Sequence, residues 1–198
     1  MAWDDLGRQA QDENRKDRDR LIGVYIGVLA VMLAVCGMGG GNASKDATLK
    51  NIEASNTWSF FQAKNMRRHV LRTQTEELEL WLLKEPQIPE AGKAAVEAKI
   101  KSYKQQIELL TSDEKGNEGL DQLFKKAKGL EAERDLAMTK DPYFDYGQAL
   151  LQIAIVLASV ALIASGNLLL IGSALVGITG ALLTLNGFLL FVRIPFIG

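Results

Sequence analysis

Hydrophobic and polar positions fall in long blocks along this chain. Leu21–Met38 is an uncharged run of 18 residues. Ala149–Ala164 is apolar except for Gln152 and Ser159, and Leu168–Val192 is a further apolar run. A bilayer core of ~30 Å takes about 20 helical residues. The pattern therefore predicts membrane-crossing helices at 21–40, 147–165 and 168–192. The turn signal Ser165-Gly166-Asn167 joins the last two into a helical hairpin. A cleaved signal peptide is the rival reading for the first run, and Leu33-Ala34-Val35-Cys36 is close to a lipoprotein cleavage box. Val35 stands where a small residue is expected, and the preceding segment 1–20 is as acidic as it is basic. A permanent anchor is the better expectation.

Between these runs the period changes. Residues 43–84 hold no Pro and no Gly, and their apolar residues recur at helical spacing. Ile52, Ala63, Met66 and Val70 form one stripe, Ala54, Trp58 and Phe61 a second, and Leu71, Leu78 and Trp81 a third. Three stripes exceed what one two-stranded seam requires. Glu85-Pro86-Gln87-Ile88-Pro89 ends this helix, because proline cannot continue the ladder. Val96, Ile100, Tyr103, Ile107 and Leu110 then follow a 4-3-4-3 pattern, and Leu120, Leu123, Ala127 and Leu130 resume it, with Phe124 alongside. Gly116-Asn117 and Gly119 predict a kink or short loop between them. Asp141-Pro142 predicts another break, and Tyr143, Phe144 and Tyr146 fit a membrane–water interface.

The outgoing helix spans roughly 60 Å and the return stretch 91–140 roughly 75 Å. A long hairpin with its tip at Pro86–Pro89 accommodates both; a compact three-helix bundle is the alternative. The fold class is thus all-α: three transmembrane helices with an extramembrane α-helical hairpin or bundle, coiled-coil-like, over 41–146.

Charge sharpens this division. Residues 41–146 carry 17 Lys/Arg and 18 Asp/Glu, whereas 147–198 carry only Arg193. The net charge of −1 gives no basic field for nucleic acid. One histidine, His69, and one cysteine, Cys36, leave no metal-ligand set or disulfide, so neither a cofactor nor catalysis is expected. No charge lies within the membrane runs, which argues against a proton- or ion-coupled pump. Gly37–Gly41 lacks the Lys-Ser/Thr of a phosphate loop and reads as a flexible exit from the membrane.

Three features are candidate interaction sites. Ile52, Asn56, Trp58, Phe61 and Gln62 make a polar-aromatic patch, read as helix packing with the amides bonding across the seam. Lys64, Arg68 and Arg72 line one helix face, and Glu76, Glu77 and return-helix acids are expected to offset them. Ser173, Gly177 and Ala181 repeat every four residues, a spacing of small residues that lets helices approach closely in lipid.

Asn51-Ile52-Glu53-Ala54-Ser55-Asn56-Thr57-Trp58-Ser59-Phe60-Phe61-Gln62-Ala63-Lys64, directly after a first membrane run, resembles the central signature of the membrane-protein family catalogued as domain of unknown function 4337. Gln152-Ile153-Ala154-Ile155, opening the final hairpin, is similar to the same family. The resemblance covers 20–192 and implies a bacterial membrane protein with no established activity. Family members often carry basic residues in the final turn, which Ser165-Gly166-Asn167 lacks.

The expected function is a non-enzymatic structural or interaction role, as a homo-oligomer or an accessory subunit of a membrane complex. An oligomeric passive channel is the alternative. Expected partners are membrane lipid, further copies of the chain, and a membrane-complex protein docking on the helical domain. The resemblance implies the bacterial inner membrane, and the N-terminal Lys/Arg cluster with the family's usual turn leads to the expectation that 41–146 is periplasmic.

Overall fold

A computed structural model describes residues 2–164 and 166–195. Ser165 of the final turn signal and residues 196–198 of the tail lie outside the described residues, as do the side chains of residues 1–12 and 14, Arg8 among them. Four helices follow one another: α1 (Ala2–Lys84), α2 (Glu90–Thr111), α3 (Leu120–Ala164) and α4 (Asn167–Leu189). No strand occurs among the described residues. α1, α3 and α4 are each long and apolar enough to cross a membrane. The chain divides into two compact units, a membrane unit of residues 1–47 and 135–198 and a hairpin unit of 48–134.

In the hairpin unit the breaks fall where Pro and Gly demand them. α1 stops at Lys84 before Pro86, and α2 starts after Pro89, whose carbonyl accepts from the N–H of Gly92 and Lys93. α2 ends at Thr111, and 112–119 forms a loop around Asp113. The Asp113 carboxylate accepts from the Gly116 N–H at 2.8 Å, and its carbonyl accepts from the N–H of Asn117, which takes a left-handed φ of 54°. The unit is the long antiparallel hairpin rather than a bundle. Glu79 pairs with Lys104 and Lys50 with Glu133, so 29 residues back along α1 correspond to 29 residues forward on the return path. Lys64 meets Glu118 between them. The loop thus interrupts the return helix without losing its register.

Helix α1 meets its own return along one face. Positions 50, 54, 57, 61, 64, 68, 71, 75, 78 and 82 are all buried or half-buried, in unbroken 4-3 alternation. That is the seven-residue period of two helices wound together. From α2 and α3 it is met by Ile100, Leu120, Leu123, Ala127 and Leu130. Thr57 and Thr75 are tolerated in this seam because each hydroxyl donates to a carbonyl four residues back, Glu53 and Leu71.

The membrane unit uses the same period. Ile22, Leu29, Cys36 and Ala43 are buried on α1, and Ala137, Phe144, Leu151 and Ala158 on α3. Two expectations are corrected here. Gly37–Gly41 is not a flexible exit but continuous helix inside α1. Asp141-Pro142 does not break the chain either, since α3 runs through Pro142. Proline removes one hydrogen bond from a helix, but the next two side chains, Tyr143 and Phe144, are 1% and 2% exposed and fix the backbone by packing. Those two aromatics are core residues, and of the three aromatics at 143–146 only Tyr146 is exposed.

Candidate functional site

The polar-aromatic patch divides around α1. Trp58 and Phe61 turn toward the return helix, with ring centroids 5.4 Å apart in a T-shaped arrangement. Phe124 of α3 completes the cluster at 5.6 Å from Trp58 and 6.4 Å from Phe61. The Trp58 indole N–H donates to Glu131 at 2.8 Å, and Lys128 both pairs with Glu131 at 2.7 Å and stands over the Trp58 ring. These two donors hold the Glu131 carboxyl below the usual carboxylate range, Lys128 first and Trp58 second. Glu131 and Lys128 are not distinguishable by composition from any other surface pair, and only the hairpin register brings them to Trp58.

Ile52, Asn56 and Gln62 face away from this seam and are exposed. The amide bonds expected across the seam are therefore not made within the chain. The cause is angular. Ile52, Ala63, Met66 and Val70 belong to a separate face of α1, and that face is bare.

The basic face is dispersed. Lys64 donates to the Glu118 carbonyl and lies 3.4 Å from its carboxylate, Arg68 donates to Asn65 at 2.8 Å, and Arg72 pairs with Glu76 at 3.1 Å. A shallow recess of about 360 Å³ lies between Lys64, Arg67, Leu109, Asp113 and Glu118. Its two cations face two carboxylates, so it presents no net charge to an anion.

Ser173 and Gly177 are buried in the membrane unit, against the chain's own helices. Ser173 donates to the Ala154 carbonyl at 2.6 Å and lies 3.1 Å from the Tyr25 hydroxyl. A Cβ on Gly177 would meet Leu29 at 3.0 Å, Tyr25 at 3.2 Å and Ala154 at 3.3 Å. Ala181 is only half-buried. The buried stripe continues instead through Gly180, Thr184 and Gly187. Strict steps of four drift around a helix of 3.6 residues per turn, whereas alternating steps of four and three hold one face. Gly147 of α3 sits against Gly180 and Thr184, so two helix backbones touch there.

The C-terminal end of α4 is tied down by two side chains. Asn186 Nδ2 donates to the Val192 carbonyl at 2.7 Å and its Oδ1 accepts from the Val192 N–H at 3.0 Å. The Tyr143 hydroxyl donates to the same carbonyl and accepts from the Ile194 N–H at 2.8 Å. Asn186, a polar residue inside a membrane run, thus acts as a capping residue. Among the described residues no group of three or more His, Cys, Asp or Glu is arranged to hold a metal ion.

The family model for domain of unknown function 4337 (DUF4337) matches residues 18–190, nearly the whole of the described chain. The chain belongs to the DUF4337 family. The match takes in the hairpin and all three membrane-crossing helices of this DUF4337 protein. No curated protein and no solved structure matches it.

Proposed function

We propose that this DUF4337 protein is a non-enzymatic membrane scaffold. Its three membrane-crossing helices anchor a helical hairpin that associates with further copies or serves as an accessory subunit of a membrane complex. The observation that carries this reading is the uncovered apolar surface of the hairpin. Ile52 is 51% exposed, Met66 66% and Val70 49%, all on α1. Large apolar side chains left open along one helix face of a water-facing unit point to an interaction site. We place the chain in the bacterial inner membrane, as the family resemblance implies, with the hairpin on the periplasmic side, following the five Lys/Arg of residues 1–20, since acidic residues count little in this rule.

The test is purification in several mild detergents, with subunit count by native mass spectrometry. The expected result is an oligomer or a stoichiometric complex. A clean monomer without a stoichiometric partner in every detergent defeats the proposal.

A further inference from the structure

Helix α1 carries two seven-residue seams, and the hairpin uses one. The second runs through Leu49, Ile52, Asn56, Ser59, Ala63, Met66, Val70 and Thr73, in steps of three and four. Every one of these positions is exposed. At 100° per residue the two seams lie about 150° apart around the helix. The return helices therefore cannot cover the second one while occupying the first.

We propose that the occupant of this seam is the same seam of a second copy, lying parallel and in register. The inference rests on the scaffold reading and gives its partner an identity. Three observations choose a copy of the chain over an unrelated protein. First, two copies inserted in one bilayer with the same topology present α1 in the same direction. A parallel pairing then sets each seam residue opposite itself.

Second, the seam tolerates that symmetry. Leu49, Asn56, Ala63 and Val70 take the first core position of the repeat, and Ile52, Ser59, Met66 and Thr73 the second. The flanking pairs between parallel copies become Thr48 with Glu53, Ser55 with Phe60, Gln62 with Arg67, and His69 with Gln74. None sets like charges together. The next core position is Glu77, which would face its own carboxylate, so the seam ends at Thr73.

Third, Asn56 stands at a first core position. A single asparagine there bonds its counterpart and selects the parallel, in-register dimer over other pairings, at some cost in stability. The Ser59 hydroxyl is already bonded to the Ser55 carbonyl at 2.9 Å, which leaves Asn56 as the register-setting group of the seam. Small Ser59 and Ala63 let the helices approach, and Phe60 beside them is 43% exposed and available to cover the contact.

The experiment uses full-length protein in membranes, with single cysteines at Asn56→Cys, Ala63→Cys and Val70→Cys. Arg72→Cys, exposed but off the seam, is the control. The native Cys36 is fully buried and remains in place, so the unsubstituted protein reports background. Under mild oxidation the three seam variants should give disulfide-linked dimers, and Arg72→Cys and the unsubstituted protein should not. Ala63→Glu, which sets like charges across the contact, should weaken self-association roughly a hundredfold. If the protein is oligomeric by mass but the seam variants link no better than Arg72→Cys, the seam is wrong and the scaffold reading stands. If the protein is monomeric in every detergent, does not link and carries no stoichiometric partner, both fall; with such a partner but no linking, only the seam falls.

Discussion

The membrane unit and the hairpin unit are built on the same seven-residue period, but helix α4 of the membrane unit buries only small side chains, whereas the hairpin seam also buries leucine and isoleucine. The buried face of α4 in the membrane unit is Ser173, Gly177, Gly180, Thr184 and Gly187. The buried positions of the hairpin include Leu71, Ile100, Leu120, Leu123 and Leu130. Water accounts for the difference. In the hairpin, removing a large apolar side chain from water contributes roughly 1.5–3 kcal/mol. In lipid that gain is absent, and helices hold together by close packing and hydrogen bonds. Small residues make close packing possible, and one large ring fills what they leave. Phe144 is that ring. A Cβ on Gly187 would stand 2.9 Å from it, and one on Gly39 would collide with both Phe144 and Phe188. The two rings meet in a T-shape at 4.8 Å.

The largest effect should come from filling that space. Gly39→Leu forces side-chain volume into Phe144, at a cost of about 3 kcal/mol, the upper end of overpacking. Gly27→Leu is the matched control, since nothing lies within 4 Å of its Cβ position. Cys36 is a built-in reporter because its thiol is fully buried and donates to the Phe144 carbonyl at 3.2 Å. Maleimide should modify Cys36 much faster in Gly39→Leu and at the original rate in Gly27→Leu. Equal rates in the two variants would show that the glycines of α1 are interchangeable and that close packing is not what holds the unit.

The hairpin should fail in the other direction, by losing volume. Leu123→Ala removes a side chain that is 5% exposed, and should cost about 2–3 kcal/mol. Hydrogen exchange on full-length protein in detergent should show lost protection across 48–134, with Cys36 labelling unchanged. Faster Cys36 labelling in this variant would mean that the two units do not open independently.

Much of this contrast is legible in the sequence. The Pro86–Pro89 tip and the loop at Gly116-Asn117 are, because Pro removes a donor and Asn takes a left-handed φ readily. Two things are hidden. Gly37–Gly41 and Pro142 are local helix breakers, and local preference says nothing of the rings that Gly39 admits or of Tyr143 and Phe144 holding α3 together. The second is the orientation of the 51–64 signature. Its apolar residues lie on two faces, and sequence alone does not tell which face the return helix takes. The register, set by pairs such as Lys50 with Glu133, assigns Trp58 and Phe61 inward and Ile52 and Asn56 outward.

A smaller effect separates packing from hydrogen bonding within the membrane unit. Ser173→Ala keeps the size and removes the hydroxyl that donates to the Ala154 carbonyl. Hydrogen bonds between membrane helices average about 0.6 kcal/mol. Cys36 labelling should therefore rise only about threefold. A loss as large as that of Gly39→Leu would make the hydroxyl, rather than the space, the decisive property of position 173.

The smallest effect is a difference in sign with pH. Lys128 and then Trp58 hold Glu131 of the hairpin below its ordinary value of about 4.3. The unfolded chain then binds the proton more readily than the folded one. The contribution of Glu131 is complete above that ordinary value and is lost as pH falls through the depressed one. In the membrane unit Asp141 is shifted the opposite way, by burial first and by the neighbouring Asp145 second. Its folded form holds the proton more tightly than the unfolded chain, whose value is about 3.9. Stability from Asp141 therefore falls as pH rises from there through the raised value. Acidification should weaken the hairpin, read by Trp58 fluorescence with Trp3 and Trp81 replaced by Phe, while slowing Cys36 labelling relative to a free thiol at the same pH. Glu131→Gln should flatten the first response alone, and Asp141→Asn the second alone. If both readouts move in the same direction with pH, or if either variant flattens both, the two carboxyls do not act within separate units.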